Sequence, residues 1–120
     1  AYATLEDFGQ QAGVRSALAW FPRWLCESNY IDAQAMVRRR TFDCHGGYRE
    51  NDDFAYGWED WELWLRLCDA GEYGVHVPQM LGRYRTQASS MITITNLVAD
   101  EMRAHMRELH PTLPWPEHDV

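Results

Sequence analysis

The chain has no lysine: all 11 of its basic residues are arginine. Set against 18 acids they leave a net charge of −7, which argues against broad binding to nucleic acid or to an anionic membrane surface. Two local basic runs interrupt that balance, Arg38-Arg39-Arg40 and Arg83-Tyr84-Arg85. Long apolar runs are missing, so neither a transmembrane segment nor a signal peptide is expected within these residues. There are only three cysteines, Cys26, Cys44 and Cys68. An odd number without close spacing fits free thiols in a reducing compartment. Cys-x-x-Cys pairs are absent and the five histidines form no cluster, so a zinc site is not expected and the histidines read as structural or surface residues. Glycine-rich phosphate loops are absent as well; Gly9 and Gly13 stand alone.

What is present is apolar and aromatic. Hydrophobic residues make up 46% of the 120, enough to fold one domain around a modest core. Six tryptophans are many for this length. They serve either as core or as flat platforms for sugar rings.

The most informative stretch is Gly57-Trp58-Glu59-Asp60-Trp61-Glu62-Leu63-Trp64-Leu65-Arg66-Leu67. At helical spacing, Trp58, Trp61, Trp64, Leu65, Leu67 and Cys68 form one apolar arc. Glu59, Glu62 and Arg66 fall on the opposite, polar face, with Glu62 and Arg66 as an i,i+4 pair. Asp60 breaks the pattern, because the wheel puts it inside the apolar arc. A carboxylate there loses solvation and its pKa rises, which suits a proton acceptor. The plainer alternative is a first-turn acid favoured by the helix dipole, since Gly57 suggests that the helix starts here.

Ala1 to Phe8 is a candidate short strand, and the chain begins there in mid-pattern, as a fragment or a processed chain would. Val14 to Trp24 is apolar, interrupted by Pro22. Asn29 to Arg38 reads as a partly buried strand over Tyr30–Val37. Arg38 to Cys44 reads as a short helix ended by His45-Gly46-Gly47. Tyr48 to Tyr56 is a polar loop whose Glu50, Asp52 and Asp53 could bind a divalent cation but fit a solvated loop better. The Trp58 helix should run to about Ala70, with Gly71 as its stop. Tyr73–Val77 and Gln79–Tyr84 read as two strands around Pro78, and Thr86–Ser90 as a turn. Asn96 to Leu109 reads as a second amphipathic helix, capped by Asn96, with Val98, Met102, His105, Met106 and Leu109 on its apolar face. His105 there reads as a core residue. Prolines 111, 114 and 116 end that helix, so residues 111–120 are expected to form a loose tail after a unit spanning 1–110.

The order of these pieces carries a resemblance. Asn29-x-Ile31, Met36-Val37-Arg38-Arg39, Gly46-Gly47-Tyr48-Arg49-Glu50, the Gly57-to-Arg66 stretch, Gly71, Val77-Pro78, Arg83-Tyr84-Arg85 and Ser90-Met91 follow one another over roughly residues 29–91. The chain thus resembles the C-terminal, acceptor-side half of a family 2 glycosyltransferase with the GT-A fold. The resemblance implies an α/β fragment, a small mixed sheet with the Trp58 helix packed on it and the C-terminal helix outside. It also implies transfer of a sugar, with inversion, from a nucleotide-sugar donor to a sugar or lipid-linked acceptor hydroxyl. By the same likeness Asp60 is the base, with Glu59 its neighbour and reserve candidate, and Trp58 and Trp61 shape the acceptor pocket. Arg83 and Arg85 could meet the donor diphosphate or equally form structural salt bridges.

Two departures from the family pattern matter. The Asp-x-Asp motif, which holds a divalent metal (Mg or Mn) and the diphosphate, is missing from these 120 residues. Gln87 stands where many members carry a metal-binding His. The metal is therefore expected of the full-length enzyme and not of this piece, which should be inactive alone. A bare sheet edge would favour self-association. The expected location is the cytoplasm or the inner face of a membrane. A different class, a non-catalytic carbohydrate-binding or interaction module, would instead line up Trp ring faces open to solvent.

Overall fold

A computed structural model of the chain describes residues 1–49, 57–87 and 99–117. They form a small α/β domain with a three-stranded mixed sheet and short helices. Strand β1 (Tyr2–Gly9) is central. It pairs antiparallel with β2 (Gly13–Arg15) and parallel with β3 (His76–Thr86).

β3 replaces the two strands expected around Pro78. Pro78 has no N–H to donate, and it falls where the register slips from Ala3↔Val77 to Thr4↔Met80. A second slip follows, to Leu5↔Gly82, after which the strands stay in step to Gly9↔Thr86. An edge strand tolerates this, since proline and bulges remove only local ladder bonds.

The strand expected over Tyr30–Val37 does not form. Among the described residues the segment's one β-bridge is Tyr2↔Ala35, and the Gln34 side chain reaches the Arg83 carbonyl of β3. Asp32 diverts the backbone: its Oδ2 accepts the Gln34 N–H at 2.9 Å, and its own N–H donates to Ser16 Oγ at 2.7 Å. Such local bonds compete with a ladder.

Helix α1 (Pro22–Glu27) begins at Pro22, which opens the helix where the sequence suggested a mere break. Helix α2 (Arg39–Cys44) ends at Gly46 and Gly47, both left-handed, as expected. Helix α3 (Glu59–Asp69) is the centre of the core and stops at Gly71, with φ 84°. Trp61, Leu63, Trp64, Leu65 and Leu67 are buried on it. They pack with Leu25 and Cys26 of α1, with Ile31, and with Met106 of α4 (Ala99–Leu109). Tyr2 is the sheet residue in this cluster, so α3 rests mainly on α1 and the Ile31 segment and not flat on the sheet. Buried indoles need acceptors. Trp61 Nε1 donates to the Leu25 carbonyl at 2.7 Å and Trp64 Nε1 to the Ile31 carbonyl at 3.0 Å.

The polar face of the helical wheel is corrected most sharply at Glu62, which is fully buried. His110 Nε2 lies 2.9 Å from its Oε2, Arg66 Nη2 2.5 Å from its Oε1, and Arg49 Nε 3.3 Å from its Oε2. Burial alone would raise this carboxyl, but His110, Arg66 and Arg49 overrule it and hold the pKa at about 2. Residues 111–117 make side-chain contacts with α3 and with His110, just past α4. Trp115 packs edge-on against Trp61, its Nε1 donates to the His110 carbonyl, and Thr112 donates to Asp69. The expected start of the last helix at Asn96 and Val98, the acids 50, 52 and 53, and the Ser90-Met91 pair lie outside the described residues. No helix among the described residues is long and apolar enough to cross a membrane.

Candidate active site

The α3 N-terminus is built on strain. Trp58 precedes the first turn with φ 68° and ψ 9°, a left-handed conformation that costs a bulky residue about 1–3 kcal/mol. Packing holds it there: its ring meets the Trp61 ring edge-on at 5.2 Å. No side chain caps the helix at Trp58. Instead Asp60 Oδ1 accepts the Trp61 N–H at 2.8 Å, satisfying one of the free donors of the first turn. Asn29 Nδ2 donates to the same oxygen at 3.3 Å.

Asp60 lines a cavity of about 830 Å³ shared with Trp58, Asn29, Asp32, Arg15 and Tyr84. Burial pushes its carboxyl up to about 6. The Trp61 N–H and Asn29 pull down, while the nearby charges of Glu59 and Asp32 push up. Both readings of the sequence therefore meet in this residue. It is a first-turn acid bonded to the helix, and desolvation still makes it a better proton acceptor than an ordinary aspartate.

Asn29 Oδ1 is buried with no partner among the described residues. The Asn29 amide can thus donate to the ionised carboxylate. Removing that donor by Asn29→Ala should raise the Asp60 midpoint above about 6 in a carbon-detected NMR titration. An unchanged midpoint would show that Asn29 does not act on the carboxylate.

Glu59 and Trp58 line the cavity. Trp61 also touches it, but its ring is only 1% exposed and its N–H is committed to Leu25. It is a wall of the core and not an open platform. Arg83 and Arg85 are not among the cavity residues. Their guanidinium groups lie over the Phe8 ring, at 4.1 and 5.1 Å from its centroid. The cations that do line the cavity are Arg15 and Arg103. Sequence reasoning passed over Arg15, Arg103 and Asp32. It noted Tyr84 only as part of a basic run.

Gln87 is exposed. Among the described residues no three His, Cys, Asp or Glu side chains converge as metal ligands. Cys26, Cys44 and Cys68 are free thiols, and burial lifts Cys26 to about 12. No family model, curated protein or solved structure matches this chain.

Proposed function

We propose that this chain is the acceptor-binding, base-carrying half of an inverting glycosyltransferase with a GT-A fold. The observation that carries the reading is Asp60: a desolvated carboxylate at a helix N-terminus, facing a cavity large enough for a sugar. An alcohol is a poor nucleophile, so a positioned base must take its proton as it attacks. In the proposed step the acceptor oxygen bonds to the anomeric carbon of the donor. The bond from that carbon to the nucleotide diphosphate breaks, and the diphosphate leaves with the electron pair. The acceptor proton passes to Asp60. Glu59 stands beside it as the reserve base, and Trp58 forms the adjoining wall. The upstream half would supply the donor site, the Asp-x-Asp motif and the divalent metal, and the 120 residues alone would not turn over.

The packing of the tryptophans speaks for the enzyme reading over a carbohydrate-binding module. Trp61 and Trp64 are buried, and the exposed pair Phe21 and Trp24 meets edge to face, not side by side as stacked platforms would. The test is the pH dependence of kcat/KM in a protein that joins this chain to its donor half. Only ionised Asp60 can accept the proton. The rate should therefore rise tenfold per pH unit below about 6 and level off above it. A profile already flat at pH 5 would contradict the assignment.

A further inference from the structure

Asp32 and Arg15 enter the cavity from adjoining backbone, since Ser16, next to Arg15, accepts the Asp32 N–H. Both side chains are locked by groups outside the reaction. Arg15 Nε donates to Asp7 Oδ1 at 2.5 Å, and its guanidinium lies 3.6 Å over the Tyr84 ring. Asp32 Oδ2 accepts the Gln34 N–H. Among the described residues no partner engages the Nη donors of Arg15 or the Oδ1 acceptor of Asp32. A guanidinium offers five N–H donors and a carboxylate only acceptors, whereas a hydroxyl both donates and accepts. A polyhydroxylated ring offers partners of both kinds.

The charge around them narrows the ligand. Among the described residues, three carboxylates (Asp32, Glu59, Asp60) and two guanidiniums (Arg15, Arg103) line the cavity, and Arg15 is already paired with Asp7. An anionic sugar would meet an excess of negative charge, so the lining favours a neutral one.

We propose that Asp32 and Arg15 form a preorganised clamp for two adjacent hydroxyls of the acceptor, which is a neutral pyranoside. The clamp rests on the reading of Asp60 as the base, because it would present a third hydroxyl, or one of the pair, to that carboxylate. Preorganised side chains lose little entropy on binding, which is where such a clamp gains affinity.

The test uses the 120-residue chain, isotopically labelled, titrated by NMR with methyl glucopyranoside, galactopyranoside and mannopyranoside, and with monodeoxy analogues of the tightest binder. At least one parent glycoside should shift the signals of Asp32, Ser16 and the Arg15 Nε–H. Asp32→Asn and Arg15→Gln should each weaken it by about tenfold or more. Each should also lose the preference for the parent over its deoxy analogue, with the rest of the spectrum unchanged. Asp32→Asn keeps the side-chain oxygen that accepts from Gln34, which guards against simple unfolding. If none of the three glycosides shifts those signals, or if Asp32→Asn binds like the parent, the clamp is overturned. Should that happen while Asp60 still titrates near 6, the base assignment survives alone. If Asp32→Asn loses the sugar but Asp60 proves dispensable for transfer, the clamp stands and the assignment of Asp60 as the base falls.

Discussion

Asp60→Asn should remove sugar transfer while making the protein more stable at neutral pH. Asparagine keeps the oxygen that accepts the Trp61 N–H but cannot take a proton from an incoming alcohol. Losing a general base typically costs about 10²–10⁴ in rate, so kcat in the joined enzyme should fall by that factor. Donor binding, which does not involve Asp60, should hardly change. The stability gain follows from linkage. The native carboxyl titrates near 6, against 3.8 for the model value. Between those values the native state holds the proton more tightly than the unfolded chain, so raising the pH through this window destabilises the fold. Above about pH 6 the cost is complete, on the order of 3 kcal/mol at about 1.4 kcal/mol per pKa unit. The variant, always neutral, escapes it. Denaturant unfolding should show Asp60→Asn ahead at pH 7.5, with the advantage shrinking to nothing near pH 4. A variant that is inactive but no more stable would mean that Asp60 is solvated in the parent.

Glu62→Gln should have the opposite effect, and a larger one. Glu62 is the carboxylate shared by Arg66, Arg49 and His110 at the back of α3, and Asp69 reaches only the other ring nitrogen of His110, at 3.6 Å. Removing one member of a buried charged set leaves the others uncompensated, which costs about 3–5 kcal/mol. For a domain with a total stability of about 5–15 kcal/mol this approaches global unfolding. The melting temperature should fall by about 10 °C or more. The sign with pH is also set. The native pKa of Glu62 is about 2 against 4.5 for the model value. Its contribution is therefore complete above pH 4.5 and is lost as the pH falls from there towards 2. The gap between parent and variant should close over that interval. A loss below about 1 kcal/mol would be the behaviour of an exposed pair.

Asp60 and Glu62 lie two residues apart, yet the sequence foretold one environment and not the other. The helical wheel knows only the helix's own residues. It could see that Asp60 shares an arc with Trp61 and Trp64, because that arc is local and periodic. It could not see that Arg49 and His110, far along the chain on either side, would fold onto the face opposite. Local punctuation was equally legible: Gly46, Gly47 and Gly71 end α2 and α3 because each takes a left-handed turn. The segment 30–37 failed for the converse reason. Its alternation suggests a strand, but one Asx-type bond at Asp32 bends the backbone out of the ladder.

The site follows the same rule. Trp58, Glu59 and Asp60 were legible because they adjoin on one helix start. Arg15, Asp32 and Tyr84 reach the cavity from three separate parts of the chain, and no spacing announces that. Arg83 and Arg85, which the sequence suggested for a donor diphosphate or for salt bridges, stack on Phe8, while Tyr84 between them lines the cavity. In a strand, successive side chains point to opposite faces, so one step along β3 separates the lining residue from the pair beside it.

The most direct measurement is the titration of the Asp60 side-chain carboxyl by carbon-detected NMR in the folded chain, assigned by its loss in Asp60→Asn. A midpoint near 6 is the result expected of a carboxylate desolvated at the floor of the cavity. A midpoint near 3.8, the value of a solvated aspartate, would contradict it and leave the α3 N-terminus without a base.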